Sequence, residues 1–307
     1  MIIEKTARDF TKYRRELRFF SSARRALSEI LHRLHQKQSY TLLLPGYIGY
    51  SPNEGSGIYD PVRQEGIPYI FYPVNRELQI EVKQLEQYLS QTPGQKVVLL
   101  VHYFGYPDYQ LGEIVSLCRR YGAVIIEDAA HAFFTDFVDH ACGNFGDFTI
   151  YSLHKMFPFE DGGMLKINSN LLSFDDNQTP ALNPFDYDLY AIAEARKANA
   201  RRWEELLEGC ADEITILHKG VEDVTPQTFP VIVKNYDRTQ LYFKLNESGF
   251  GAVSLYHTMI EPIRNGSFQD ALWLSKHIIN LPTHQDAECS SIDEMCSILI
   301  RTVQARK

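Results

Sequence analysis

Val124-Ile125-Ile126-Glu127-Asp128-Ala129-Ala130-His131 and, downstream, Phe148-Thr149-Ile150-Tyr151-Ser152-Leu153-His154-Lys155 decide how this chain folds. The first stretch is an apolar run that stops at a carboxylate. Such a run reads as a buried strand that presents an acidic group at its carboxyl end, where open α/β sheets bind ligands. The second is another strand-like run, and it delivers a hydroxyl at Ser152 and an amine at Lys155, 27 residues after Asp128. Gly143-Asn144-Phe145-Gly146-Asp147 precedes it, and Glu160-Asp161-Gly162-Gly163-Met164-Leu165 follows.

Outward from this pair, strands and helices alternate. Ser21-Ser22 stand where an N-cap belongs, ahead of the helical stripe Ala26, Leu27, Ile30, Leu31 and Leu34. Strands are predicted at Thr41 to Leu44, Pro68 to Tyr72, Val97 to Val101 and Met164 to Ile167, with helices at Ile80 to Leu89 and Leu111 to Tyr121. This alternation predicts an α/β fold, a mostly parallel sheet flanked by helices. Asp175 to Asp186 reads as a loop, and Tyr187 to Leu207 as one long helix whose apolar stripe Arg196 interrupts. Beyond Asp223 the pattern is that of a smaller α+β domain, with strands at Pro230 to Val233 and Ala252 to Leu255 and helices at Arg238 to Ser248 and Ser291 to Val303. The expected division is a large domain over 1–185, a connecting helical region over 186–222 and a small C-terminal domain over 223–307. Asn53-Glu54-Gly55-Ser56-Gly57 reads as a flexible surface insertion rather than a phosphate cradle.

The 307 residues suffice for a large core, and 44% hydrophobic with 23% charged residues describes an ordinary globular protein. A net charge of −8 argues against nucleic acid or an anionic membrane as the main partner. Cys118, Cys142, Cys210, Cys289 and Cys296 have no CxxC spacing, so neither a metal site nor a disulfide framework is indicated. Met1 to Arg18 is charged and lacks the apolar region of a signal peptide, and no apolar run is long enough to span a bilayer. The expected location is cytoplasmic.

Each candidate residue has a plain alternative. Asp128 alone is a helix cap at a strand end, Lys155 alone a surface charge, and Ser152 alone a strand-end hydroxyl. In combination they are what pyridoxal 5'-phosphate requires of a protein: a carboxylate for the pyridinium nitrogen and a lysine for a Schiff base. The start of the Ser22 helix adds free N–H groups and a positive dipole end suited to a phosphate. Tyr47 or Tyr50 is available to stack on the ring, and spacing does not choose between them.

With these residues in order, the chain resembles the DegT/DnrJ/StrS-type aminotransferases, fold-type I pyridoxal phosphate enzymes that include sugar aminotransferases. The resemblance extends to Val101-His102-Tyr103-Phe104-Gly105-Tyr106-Pro107, to Pro45 with Tyr47, and to Ile279-Asn280-Leu281-Pro282-Thr283-His284. It implies Lys155 as the Schiff-base residue and proton shuttle, and Asp128 as the partner of the pyridine nitrogen. It implies Ser152, with Ser22, Ala23 and Arg24, at the phosphate. His131 stands where the family places Gln or His near the cofactor's phenolic oxygen; the alternative is a histidine on a helix surface. The implied activity is transfer of an amino group from a donor such as glutamate to a nucleotide-linked keto-sugar, in two half-reactions, by a homodimer. A lyase, a dehydratase, a non-sugar aminotransferase and a non-catalytic cofactor-binding sensor are the alternatives. A dinucleotide enzyme is disfavoured, because no GxGxxG follows a predicted strand.

Two departures stand out. The family's Ser-Gly-Thr is Ser22-Ala23-Arg24 here, with Arg24 either replacing the threonine at the phosphate or facing solvent. The link from Ser152 to Lys155 is three residues instead of five, while Lys155 to Gly162 keeps the family spacing. Substrate identity is accordingly less determined than cofactor identity.

Overall fold

The apolar runs form the expected central layer. A computed structural model describes residues 16–174 and 183–305. In chain order its large part contains β1 (Glu16–Phe20), α1 (Ala23–Lys37), β2 (Tyr40–Pro45), α2 (Tyr59–Gln64), β3 (Tyr69–Tyr72) and α3 (Val82–Gln91). It continues through β4 (Gln95–Val101), α4 (Leu111–Arg120), β5 (Val124–Asp128), α5 (Phe133–Phe137), β6 (Phe148–Ser152) and β7 (Gly163–Ile167). The seven strands form one sheet in the order β1-β7-β6-β5-β4-β2-β3. Strands β2 to β6 are mutually parallel, and β7 runs antiparallel to both β6 and β1.

Val97 to Leu100 and Ile125 to Asp128 are buried on both faces, as continuous apolar runs in a covered parallel sheet must be. Helix α1 begins where Ser22 Oγ accepts the Arg25 N–H, and it lays Ala26, Leu27, Ile30, Leu31 and Leu34 against the sheet. The chain order reverses between β2 and β4, so the carboxyl ends of β2, β4, β5 and β6 surround a crevice at the switch point.

The remainder contains α6 (Leu189–Leu207), β8 (Ile214–Ile216), β9 (Thr228–Val233), α7 (Arg238–Glu247), α8 (Glu261–Arg264), α9 (Gln269–His277), β10 (Ile278–Pro282) and α10 (Cys289–Gln304). A separate antiparallel sheet, β10-β9-β8, shares a second core with Trp203 and Leu207 of α6, Leu241 and Leu245 of α7, and Ile292, Met295 and Leu299 of α10. Its strand β8 comes from within segment 186–222. Ala252 to Leu255, expected as a strand, makes only a bridge between Val253 and Asn280, because the chain turns away at Tyr256 with φ 56°. Arg196 does not break α6. It is buried, lies over the Phe134 ring at 5.4 Å and donates to Gln285 Oε1, which offsets the cost of removing it from water. Of the expected loop 175–186, residues 175–182 lie outside the described residues, as do 1–15 of the charged N-terminus, and Pro184–Asp186 forms a 3-10 turn. Among the described residues, no helix is long and apolar enough to cross a membrane.

Candidate active site

Strand ends position the chemistry. A cavity of roughly 630 Å3 opens at the carboxyl edge of the sheet, and Asp128, His131, Ser152, Lys155, Ser22, Ala23 and Arg24 all line it. Asp128, the last residue of β5, is buried, and its Oδ1 accepts the Ala130 N–H at 2.9 Å. Burial pushes its carboxyl above the ordinary value, against the pull of that N–H and of Lys155.

The short link after β6 forms a single 3-10 turn, Leu153–Lys155, held by the Leu153 N–H bond to Gly162 O. This turn brings Lys155 Nζ to 2.9 Å from His131 Nε2. Burial pushes the Lys155 amine below its ordinary value, while Asp128 and Glu54 oppose the shift. The His131 imidazole is held well below its ordinary value by burial, then by Lys155 and His154. His131 is 3% exposed, which removes the reading of a surface histidine. Lys166, the next lysine, is buried in an ion pair with Asp136 and bonded to Asn144 Oδ1, and it does not line the cavity.

At the other end of the cavity, α1 starts against β7. A Cβ on Gly163 would stand 2.1 Å from the Ser22 carbonyl carbon, so only glycine permits this approach. The first N–H groups of α1 thereby lie on the same cavity as the buried Ser152, whose Oγ is 3.3 Å from His154 Nδ1. The Arg24 guanidinium turns to the 51–60 loop instead, donating to Glu54 O and standing 3.9 Å from Asp60. That loop is closed on itself by reciprocal Ser51 and Gly55 backbone bonds of 2.9 and 2.7 Å. Asp60 Oδ2 pins it further by accepting the Ser56 N–H. The segment expected as a flexible insertion is thus a tied turn forming one wall of the mouth.

Of the two tyrosines, Tyr50 lines the cavity, whereas Tyr47 is wholly buried and stacks on Tyr256 at 5.1 Å. Tyr256 is a site residue that sequence reasoning missed. It reaches in from the C-terminal half and meets Phe104 and His131 edge-on at 5.7 and 6.1 Å. No local pattern marks it, because its placement depends on the turn at its own positive φ.

Glu127 is the second omission. Its carboxylate accepts N–H groups from Gly143, Phe145 and Gly146 at 2.7–2.8 Å, and His102 Nε2 lies 2.9 Å away. Burial disfavours its charge, but the His102 bond and the Gly146 and Gly143 N–H groups prevail and hold its carboxyl below the ordinary value. Glu127 therefore clamps the glycine loop to the strand that carries Asp128. The Glu-Asp pair beside a Gly-x-x-Gly loop was the available signal for it.

Residues 59–174 match the sequence model of the DegT/DnrJ/EryC1/StrS aminotransferase family. The chain is 41% identical over 75 residues to a dTDP-4-dehydro-2,3,6-trideoxy-D-glucose 4-aminotransferase of Saccharopolyspora spinosa, covering 24% of this chain and 19% of that protein. It is 28% identical over 106 residues to a UDP-4-amino-4,6-dideoxy-N-acetyl-beta-L-altrosamine transaminase of Campylobacter jejuni, covering 34% and 28%. These matches span well under two thirds of the relatives' own lengths. In fold the likeness extends over most of the chain. A DegT DnrJ EryC1 StrS aminotransferase from Brucella abortus superposes with a TM-score of 0.73 at 18% identity, covering 92% of this chain and 85% of that one. The Escherichia coli GDP-4-keto-6-deoxy-D-mannose-3-dehydratase with bound hydrated PLP gives 0.72 at 17% identity, covering 92% and 87%. Residues 59–174 are thus similar to the DegT/DnrJ/EryC1/StrS aminotransferase family, and the fold is that of solved members of the family.

Proposed function

We propose that this protein is a pyridoxal phosphate-dependent aminotransferase that passes an amino group from an amino acid such as glutamate to a keto-sugar. The observation that carries the reading is the buried carboxylate of Asp128, whose only protein hydrogen bond among the described residues is the Ala130 N–H, on the same cavity as the Lys155 amine. A buried carboxylate without a bonded cation is costly, and a protonated ring nitrogen is the partner that would relieve it. The donor set therefore fits the cofactor. When bound, pyridoxal phosphate supplies an electron sink for bond changes at the carbon bearing the amino group.

The chain's own groups divide the remaining work. Asp128 holds a proton on the ring nitrogen. Lys155 anchors the cofactor and moves a proton at its Nζ, and burial lowers its basicity, which suits both tasks. His131 orients Lys155 through their 2.9 Å contact. Ser152, Ser22 and the Ala23 and Arg24 N–H groups bind the phosphate at a helix start where the peptide dipole favours an anion. Tyr256 covers the site from the C-terminal half with Tyr47 behind it, excluding water. The chain divides for this purpose into a cofactor-binding part (1–185), the α6 region (186–222) and a smaller part (223–307) that closes over the cavity. The working form is a cytoplasmic homodimer that binds small-molecule donor and acceptor. The nucleotide-linked form of the acceptor rests on the relatives' substrates.

Incubating the cofactor-loaded protein with glutamate tests the reading. One 2-oxoglutarate per site, with loss of the visible absorbance of lysine-bound cofactor, is the expected result. Bound cofactor that is indifferent to glutamate and to other amino acids would refute transamination.

A further inference from the structure

We propose that His131 holds Lys155 as a free amine before any cofactor arrives, through one locked imidazole tautomer, so that Lys155 becomes a nucleophile as soon as that hydrogen bond opens. The argument rests on hydrogen-bond directions. The Phe104 backbone N–H donates to His131 Nδ1 at 3.2 Å, so Nδ1 carries a lone pair. A neutral imidazole of that kind carries its proton on Nε2. Nε2 is the atom 2.9 Å from Lys155 Nζ. A protonated lysine has only donors to offer, and N–H would then face N–H. The contact is a hydrogen bond only if Nζ presents a lone pair. Nε2–H is then the donor and Nζ the acceptor.

The lock is built into the backbone. Phe104 adopts φ 59°, a left-handed conformation unusual for a bulky residue. Its carbonyl accepts the Gln227 N–H at 2.8 Å, which fixes the turn from its other side. The following Gly105 has φ 100°, and a Cβ there would meet Gln227 N, Thr225 O and His131 O at 2.9–3.1 Å. The Phe104 ring lies parallel to the imidazole at 5.9 Å, fixing the ring plane as well. Strained backbone of this kind persists at functional sites where the surroundings over-determine it.

Other groups act on the same amine. Asp128 from β5 and Glu54 from the 51–60 loop favour the ammonium, while burial opposes it. His154 shares the turn, and Tyr256, Arg24, Glu160 and Asp161 line the same cavity. His131 is the neighbour whose donor points at Nζ. The proposal concerns the cofactor-free chain and stands whether or not the aminotransferase reading does.

Two measurements on the cofactor-free protein decide it. Nitrogen-15 spectra of histidine-labelled protein, assigned with a His131→Gln variant, should show His131 neutral with its proton on Nε2 across neutral pH. An imidazolium, or a proton on Nδ1, overturns the proposal. Competitive acetylation with trace acetic anhydride reads the amine itself. Only neutral Nζ attacks; an N–C bond forms to the acetyl carbon, acetate leaves, and buffer takes the proton. At pH 7 only about 4 in 10⁴ of an exposed lysine is neutral, so a Lys155 held as the free amine should acetylate on the order of 10³-fold faster than exposed lysines. The His131→Gln variant, whose amide can turn its oxygen to Nζ, should lose most of that advantage. Equal reactivity of Lys155 and surface lysines, or an unchanged advantage in His131→Gln, overturns the proposal. Low Lys155 basicity in a protein that ignores glutamate would sink the aminotransferase reading alone.

Discussion

Beneath the cavity, which it does not itself line, Glu127 takes three backbone N–H groups and faces His102 on the floor, whereas at the mouth Glu160 and Asp161 stand exposed and Tyr50 is 41% exposed. The floor is held by strand ends and backbone bonds, so its residues have one arrangement each. The mouth is made of turn segments, 51–60 and 254–257, together with exposed side chains. Rigid elements fix reactive groups more closely than loops do. Under the proposed function, the difference would put cofactor chemistry in the floor and choice of acceptor in the mouth.

Substitutions can break this division, beginning with the largest effect. Lys155→Ala should lower the glutamate half-reaction by at least about 10³-fold while leaving the melting transition close to that of the parent, as stopped-flow absorbance and calorimetry would read. Loss of the fold with the activity would mean that Lys155 is structural. Glu127→Ala should cost about 3–5 kcal/mol in denaturant unfolding, since it strands His102 and three N–H groups in the interior. Its pH dependence has a definite sign. The Glu127 carboxyl is held low in the folded state, so its contribution is complete above the unfolded value of about 4.3 and is lost as pH falls through the folded value. The parent and Glu127→Ala curves should therefore converge in acid.

Asp128→Asn should act in the opposite direction on the cofactor-free protein. Its carboxyl is raised by burial, so ionisation costs stability as pH rises through the folded value, and a neutral amide escapes that cost. The variant should gain roughly 0.5–2 kcal/mol at neutral pH while binding cofactor more weakly. A variant less stable than the parent would show that Asp128 is structural. Smallest in stability are the mouth substitutions Tyr50→Ala and Glu160→Gln, within about 0.5 kcal/mol. They should alter KM for the keto acceptor and leave the glutamate half-reaction unchanged, and the reverse pattern would dissolve the contrast between floor and mouth.

The same contrast explains what the sequence made legible. Strand β4 carries the apolar run Val97 to Val101, with His102 next, and the largely apolar β5 and β6 end in Asp128 and Ser152; burial in the covered sheet leaves such runs no other placement. Tyr256, the tied 51–60 turn and the Arg24 to Glu54 contact depend on long-range packing, and no local periodicity encodes them. Arg196 misled in an instructive way. A charge in an apolar stripe reads as an interruption until an aromatic face and an amide oxygen are found beside it. The run Ala252 to Leu255 has strand composition, but its chain turns at Tyr256 to reach the cavity.

The central claim is that Asp128 and Lys155 hold pyridoxal phosphate between them. Loading the protein with pyridoxal phosphate, reducing it with borohydride and mapping the phosphopyridoxyl group by peptide mass spectrometry tests this most directly. One label per chain, on the peptide that contains Lys155 and absent in Lys155→Ala, is the predicted result. A label on Lys166 or scattered over surface lysines, or no label at all, would contradict the account.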